Sequence, residues 1–450
     1  MRVSPICDVP RARELEPPAA SRELRDTTAR LERFTPEPEL RELRLVDATP
    51  PPAGPALPQR LDTATRNIDR QLARVASSVA LLPALRPLNA REERETFLRL
   101  HGRYEPQFRY APARIDLEAA RRRLSRIDLD TIAHPELRAL YAAKRRELQL
   151  ALTLIDSRQS DAFTKTSLAL YGKPTAATVR RARAIMAHTP EREAKDLSAT
   201  EVKTRLEAFA NTLRAQAPLD CCIRLDTHRS SDAAATATRV LLKKDALFSQ
   251  SAAAGLAAHE IGWHIVTSHN GGTQPLHLFR GGTANYLGAQ EGGAVLQELL
   301  TPGALTVGRL RKLAARTIAL DLALSGAGFS RVFAELKALP HGFTDHEAYT
   351  ICERIFRGSS PRADGTWSGV FSKDGVYLQN FLDVLARFQK DRLDLTSFAA
   401  GKMALADIPF VARAIAAGLL QPPQILPPTL LGKPTLAHVS PAVKAALSLP

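Results

Sequence analysis

Cysteine is scarce in this sequence: the 450 residues contain four cysteines, and no two of them form a C-x-x-C pair. So few cysteines provide neither a disulfide framework nor a zinc ribbon, and we interpret the thiols as reduced and incidental. Long hydrophobic runs are absent as well, since no stretch approaches the roughly 18 apolar residues of a membrane helix. The first residues lack the apolar segment of a signal peptide. We therefore expect a soluble, cytoplasmic protein with no membrane partner.

Motifs of two large enzyme classes are also missing. The sequence has no G-x-S-x-G element and no phosphate-binding glycine loop, so a serine hydrolase or a nucleotide-dependent enzyme has no support. The formal net charge of +15 would suit an acidic partner. However, the basic clusters at residues 121–123 and 144–146 lie in helical segments that also contain acidic residues, without interleaved aromatics. Such clusters are typical of solvated helix faces, so we expect no nucleic-acid partner and keep an acidic protein surface as an alternative.

Apolar periodicity predicts a mainly helical chain. Apolar residues recur at three- and four-residue steps between Leu137 and Ile155. Similar stripes lie near residues 65–83, 160–172, 176–187, 198–215, 252–268, 285–300 and 307–324. Two short runs with β-propensity, residues 222–226 and 238–242, interrupt this pattern and predict a small sheet.

The candidate chemistry begins in a helical segment that contains His259, Glu260 and His264 in the pattern H-E-x-x-x-H. This spacing is one residue longer than the H-E-x-x-H of zincins. Positions five apart on a regular α-helix differ by about 140°, so the two imidazoles would point apart. We therefore predict a π-bulge or an early unwinding at Gly262, which would bring both rings to one side.

Two imidazoles and one carboxylate leave an open position for water on a tetrahedral zinc ion. Glu291 and Glu298 are the candidate carboxylates, and they are seven residues apart on one face of the next helix, so spacing alone does not choose between them. The glycine pair after Glu291 would allow the backbone to approach the metal closely, which favours Glu291. Glu260 is predicted to be the general base, taking a proton from the attacking water and delivering it to the leaving amine.

Several segments carry a resemblance to a known family. Residues 259–264 resemble the H-E-I-G-x-H motif, and residues 290–294 resemble the Q-E-G-L-A motif, of the microtubule-associated tyrosine carboxypeptidases and their bacterial relatives, the flavohaemoglobin expression-modulating QEGLA-motif proteins. Further similar segments are Phe163, Ser167 and Tyr171-Gly172 with Pro174, residues 354–358, and residues 371–378. The resemblance covers about residues 65–400. It implies that His259, His264 and Glu291 bind zinc and that Glu260 is the catalytic acid/base.

The family-like segments also suggest residues that would bind the substrate. Arg357 and Lys373 are candidates for the terminal carboxylate of a peptide or protein, and Tyr377 is a candidate donor to the oxyanion. The sequence departs from the family pattern at Gly293, where the motif has leucine, and Trp263 fills a variable position. We expect these departures to alter the pocket wall, which leaves the preferred end residue open.

Other constellations provide alternatives. His269 and His277 could be further ligands or partners of the ligands. Cys352 and His346 could be read as a thiol and its base, although no third orienting group accompanies them.

The predicted fold is α+β, mainly α, with a zincin-like metallopeptidase core, a small β-sheet and an N-terminal helical unit. We divide the chain into a disordered Pro/Arg-rich arm (1–60), the helical unit (61–215), a zinc-binding catalytic domain (216–420) and a Pro-rich tail (421–450). The predicted function is a zinc-dependent carboxypeptidase acting on C-terminal, first of all aromatic, residues. The alternative is a metal-binding regulatory protein without physiological peptidase activity, and endopeptidase action also stays open.

Overall fold

The computed structural model describes residues 55–58, 60–227 and 232–449. Its α-helices are α1 (Thr63–Ser78), α2 (Leu81–Ala84), α3 (Ala90–Arg99), α4 (Leu117–Ser125), α5 (Pro135–Asp156), α6 (Ala162–Tyr171), α7 (Ala176–Met186), α8 (Ala199–Arg214), α9 (Gln250–Leu256), α10 (Val266–Thr273), α11 (Leu278–Gly281), α12 (Tyr286–Leu300), α13 (Val307–Leu324), α14 (Phe329–Ala338), α15 (Asp345–Phe356), α16 (Val376–Gln389), α17 (Leu395–Ala399), α18 (Ile408–Ala416) and α19 (Pro441–Leu447). A π-helical segment, Ala257–Ile265, joins α9 to α10. The mainly helical class is confirmed. Up to residue 54, the predicted arm lies outside the described residues.

Two small sheets accompany the helices. Their strands are β1 (Leu197–Ser198), β2 (Cys222–Asp226), β3 (Ala233–Ala235), β4 (Arg239–Lys243) and β5 (Leu247–Phe248). In the larger sheet β4 lies between β2, to which it is parallel, and β3, to which it is antiparallel. The other sheet is the antiparallel pair of β1 and β5. The two predicted β-runs are therefore confirmed as β2 and β4, with β4 displaced by one residue.

The helices begin where the sequence supplies capping groups. The Ser249 hydroxyl accepts a hydrogen bond from the amide of Ala252 at 3.2 Å, at the start of the helix that leads into the histidine segment. Ser198 and Glu201 form a capping box at the start of α8. Such side chains satisfy amides that have no partner inside the helix.

Two hydrophobic clusters enclose the π-helical segment. The larger cluster combines Ile68, Leu152 and Ile185 with residues of α12 to α19, so the chain on both sides of position 215 shares one core. The smaller cluster joins α8 and the larger sheet. Within the π-helical segment, Trp263 packs in the larger cluster, whereas Ile261 packs in the smaller one. This packing fixes the segment from two sides.

The C-terminal residues also contribute to the larger cluster. Val443 and Leu447 of α19 are buried in it, so this part of the predicted tail packs on the core. Among the helices of the described residues, none combines the length and the hydropathy needed to cross a membrane.

Glycines allow α12 to approach its neighbours closely. A Cβ atom at Gly292 would lie 2.6 Å from the carbonyl oxygen of Asn380 on α16, and one at Gly293 would lie 2.5 Å from the indole of Trp263. We expected this glycine pair to bring the backbone to a metal. Their contacts instead show that they let α16 and the π-helical segment pack against α12.

Candidate active site

The segment that contains the two histidines is π-helical from Ala257 to Ile265, which confirms the predicted distortion. Its i→i+5 hydrogen bonding brings residues five apart onto nearly the same face, which a regular α-helix does not do. The ring centroids of His259 and His264 are 4.7 Å apart, with the ring planes at 85° to each other. Both imidazoles therefore lie on the same side of the π-helical segment.

Glu291 of α12 completes a triangle with these rings. Its Oε2 atom lies 3.6 Å from Nε2 of His259 and 3.7 Å from Nε2 of His264. Two donors that each lie about 2.1 Å from a tetrahedral zinc ion are about 3.4 Å apart, so the two distances from Oε2 of Glu291 to the histidine nitrogens are close to the separation that such an ion requires. His259, His264 and Glu291 are therefore a set that could hold a divalent metal.

Glu298 lies on the opposite edge of the His259 ring. Its Oε1 atom is 2.6 Å from Nδ1 of His259. The same carboxylate accepts two hydrogen bonds from Arg309 of α13, at 3.0 Å from Nε and 2.9 Å from Nη2. The two carboxylates that sequence spacing left equivalent thus contact different nitrogens of one imidazole.

The other imidazole has a neutral partner. Gln290 places its side-chain amide 3.0 Å from Nδ1 of His264 and 2.8 Å from the hydroxyl of Thr267. The atom placed there is the amide nitrogen, Nε2, which also donates to the Thr267 hydroxyl. With the amide nitrogen and oxygen exchanged, the Gln290 oxygen accepts a hydrogen bond from Nδ1–H and leaves Nε2 of His264 with its lone pair.

The buried carboxylates favour positive charge between them. Burial alone would lower the pKa of His259, but Glu291 and Glu298 outweigh it and raise that pKa to about 10. Burial alone would raise the pKa of Glu291, yet His259 and His264 hold it well below its usual range. For Glu298, burial is opposed by Arg309 and His259, which lower the pKa to about 2. Both carboxylates are therefore ionised at neutral pH, as metal ligands and their partners must be.

Glu260 is placed differently from the other two glutamates. One of its carboxylate oxygens lies within 4.8 Å of a nitrogen from each histidine. Its side chain is half-buried and makes no hydrogen bond or ion pair with the residues that the structure describes. This carboxylate is thus next to the candidate metal site, with no other polar partner among the described residues.

A cleft of about 870 Å³ opens in front of these groups. All of the predicted site residues line it, namely His259, Glu260, His264, Glu291, Arg357, Lys373 and Tyr377. Sequence reasoning missed Arg309 and Arg316, which line the same cleft. Together with Lys312 they recur at three- and four-residue steps on one face of α13, a pattern that could have identified them.

A network around Asp374 forms the basic wall of the cleft. Arg354 donates two hydrogen bonds to this buried carboxylate, at 2.5 and 2.8 Å, and Nε of Arg316 lies 3.8 Å from it. Burial alone would raise the pKa of Asp374, but the two arginines keep it well below its usual range. Next to it, the Lys373 ammonium donates to the Tyr377 hydroxyl at 3.0 Å.

Arg357 is the unsatisfied cation of this wall. Its Nε atom is buried without a hydrogen-bond partner, and its guanidinium makes no ion pair within the described part of the chain. Burial and the charge of Arg354 lower the pKa of Arg357. Bringing an anion to this guanidinium would relieve both costs.

The two departures from the family pattern lie behind the site. Trp263 is fully buried, and its ring packs 4.7 Å from that of Phe398. A Cβ atom at Gly293 would lie 2.5 Å from the indole. Neither Trp263 nor Gly293 belongs to the cleft lining. The expectation that these departures alter the pocket wall is therefore wrong: the indole occupies space that a side chain at position 293 would need.

The remaining candidates lie elsewhere. Cys352 is fully buried, and burial raises the pKa of its thiol well above the usual value. His346 is exposed at the start of the same helix, so the reading of these two as thiol and base is wrong. His277 is exposed, and His269 contacts Gln424 at 3.3 Å. Neither histidine lines the cleft.

Comparison with known proteins identifies the family. A family model described as microtubule-associated tyrosine carboxypeptidase matches residues 95–445. No curated protein matches the sequence. The family match includes the histidine segment, α12 and the basic wall, and it extends over most of the chain. The chain therefore belongs to the microtubule-associated tyrosine carboxypeptidase family.

Proposed function

We propose that this protein is a zinc-dependent metallocarboxypeptidase with a zincin-like core that removes C-terminal residues, aromatic ones first, from peptides or proteins. Family membership implies carboxypeptidase-type activity. The finer proposal rests on the convergence of three atoms: Oε2 of Glu291 lies 3.6 Å from Nε2 of His259 and 3.7 Å from Nε2 of His264. The same cleft contains Arg357, whose buried Nε atom has no hydrogen-bond partner among the described residues.

His259, His264 and Glu291 would hold the metal, since two imidazoles and a carboxylate are a common donor set of catalytic zinc. Zinc bound there would polarise the scissile carbonyl and make water acidic enough to attack at neutral pH. The neighbouring π-helix and the small sheet, which pack together in one hydrophobic cluster, support the zincin-like description.

Glu260 is the proposed general base. Its carboxylate is free of other partners in the described chain and lies beside both histidines. It takes a proton from the attacking water, and the resulting carboxylic acid then gives this proton to the departing amine, so the carboxylate is restored in each cycle.

The basic wall is the proposed site for the end of the substrate. Arg357 can form a bidentate pair with a terminal carboxylate, and Lys373 adds a second positive charge to the same cleft. The Tyr377 hydroxyl accepts hydrogen bonds from Lys373 at 3.0 Å and from Arg354 at 3.4 Å. Its own proton is therefore available to donate to an oxyanion.

Glu260→Gln tests this proposal. The variant should retain zinc but lose peptide cleavage by about 10²- to 10⁴-fold, because the amide has the shape of the base without its basicity. The measurement is release of the last residue from a free-ended peptide, with zinc content determined on the same samples. Equal cleavage by the variant and wild type would refute the role of Glu260. Zinc in both proteins with no cleavage by either would favour the regulatory, metal-binding alternative.

A further inference from the structure

We propose that Glu298, held in place by Arg309, is a positioning residue that fixes the His259 ring with Nε2 toward the metal site. The inference rests on the proposed function, because it concerns the residues that would hold the metal. It assigns Glu298 a role other than that of third ligand.

The hydrogen-bonding geometry defines the tautomer of His259. An ionised carboxylate only accepts hydrogen bonds, so Nδ1 of His259, 2.6 Å from Oε1 of Glu298, carries the proton. A metal ion takes the place of the other ring proton, so it would bind at Nε2, the atom that faces Glu291. A carboxylate behind a ligating histidine also makes that imidazole a stronger donor.

Arg309 makes this arrangement rigid. Its guanidinium donates to both carboxylate oxygens of Glu298, at 2.9 and 3.0 Å. Glu298 is only 2% exposed, so it has little freedom to rotate and little access to water. The pair is anchored on two different helices, α12 and α13, and the ring that it orients is on a third element.

The two histidines are therefore supported unequally. His259 is held by a charged pair, whereas His264 is held by the neutral amide of Gln290. If orientation by charge matters, loss of the Glu298 carboxylate should weaken metal binding more than loss of the Gln290 amide does. If Glu298 served only to neutralise Arg309, removing its carboxylate would weaken metal binding no more than removing the Gln290 amide.

The experiment is zinc affinity measured by competition with a chromophoric chelator, on wild type, Glu298→Gln, Gln290→Leu and Glu260→Gln. Glu260→Gln is the matched control, because it removes one negative charge beside the histidines without touching a ring nitrogen. We expect Glu298→Gln to weaken zinc binding about 10- to 100-fold, and more than either comparison variant. Cobalt substituted in Glu298→Gln should keep its coordination number and show shifted absorption bands.

Zinc affinity of Glu298→Gln equal to that of wild type, or reduced no more than in Glu260→Gln, would overturn the inference. Complete loss of zinc in Glu298→Gln, with zinc retained in Glu291→Gln, would also overturn it by making Glu298 a ligand. A wild-type protein that binds no zinc would refute the proposed function, and the inference with it.

A second variant covers the case in which Glu298→Gln does not fold. Glu298→Gln combined with Arg309→Met removes both charges, so no buried charge is left unpaired. The same loss of zinc affinity is expected, with little change in the unfolding temperature of the metal-free protein. Unchanged zinc affinity in the double variant would contradict the positioning role.

Discussion

The two walls of the cleft differ in how completely their polar groups are paired. On the wall formed by His259, His264 and Glu291, here called the histidine wall, each ring has a partner at Nδ1. Both Nε2 atoms face the same carboxylate oxygen of Glu291. On the basic wall, Asp374 is shared between Arg354 and Arg316, while the buried Nε atom of Arg357 has no hydrogen-bond partner among the described residues. The histidine wall is thus organised before any ligand arrives, whereas the basic wall has a cation that can still pair with an anion.

Removal of the carboxylate from the basic wall should have the largest effect on stability. Asp374→Asn leaves the half-buried guanidinium groups of Arg354 and Arg316 without their anion, and we expect the free energy of unfolding to fall by about 3–5 kcal/mol. Because the folded-state pKa of Asp374 lies below its ordinary value of 3.8, the carboxylate stabilises the fold above pH 3.8. This stabilisation is lost as the pH falls further.

Urea unfolding of wild type and Asp374→Asn, at neutral pH and below pH 4, measures the contribution of the carboxylate to the free energy of unfolding. The difference between the two proteins should shrink at the acidic end. A difference that does not depend on pH would show that the ionised carboxylate is not what holds the wall together.

Removal of the Arg357 guanidinium should affect substrate binding instead of stability. Arg357→Met should raise KM for peptides with a free C-terminus about 10- to 100-fold, the range expected for hydrogen bonds to a charged group. Amidated peptides should be affected much less. Lys312→Met is the matched control, because Lys312 lines the same cleft but already pairs with Glu347 at 3.0 Å. Equal effects of Arg357→Met on free and amidated peptides would remove this assignment.

A substitution behind the histidine wall should have the smallest effect. Gly293→Ala places a methyl group 2.5 Å from the Trp263 indole, and we expect a loss of about 1–3 kcal/mol in stability from overpacking. Trp263→Phe in the same chain should recover part of that loss, because a smaller ring leaves room for the methyl group.

Thermal and urea unfolding of Gly293→Ala, Trp263→Phe and the double variant, compared with wild type, give a double-mutant cycle for the two positions. Gly281→Ala serves as the control, since a Cβ atom there would have no neighbour within 4 Å in the described part of the chain. Strictly additive losses at positions 263 and 293 would contradict the account of the two departures as a matched pair.

Local features of the site could be predicted from the sequence, and the choice between Glu291 and Glu298 could not. The five-residue spacing of His259 and His264 requires a wider helix, and the π-helical segment has it. Glu291 and Glu298 share a face of α12, and only the packing of this helix directs one to Nε2 and the other to Nδ1 of His259. That packing depends on Gly292 against α16 and Gly293 against Trp263.

The contacts of the basic wall could be predicted from the sequence only where the residues are close in sequence. Lys373 and Tyr377 are four residues apart, so their contact follows from local geometry. Arg316 joins the same wall from α13, more than fifty positions earlier in the chain, and its side chain lies over the Tyr377 ring at 4.9 Å. Helix-face spacing could have suggested that Arg316 and Arg309 share a surface, but the partner of that surface depends on tertiary packing.

If His259, His264 and Glu291 bind zinc, as we propose, the purified protein should contain it. Zinc per chain should be measured by plasma mass spectrometry on wild type and His264→Ala, purified identically without a metal-binding tag. We expect close to one zinc per wild-type chain and little in the variant. Absence of zinc from wild type, even after zinc is resupplied, would contradict this proposal and leave the two histidines with a structural role.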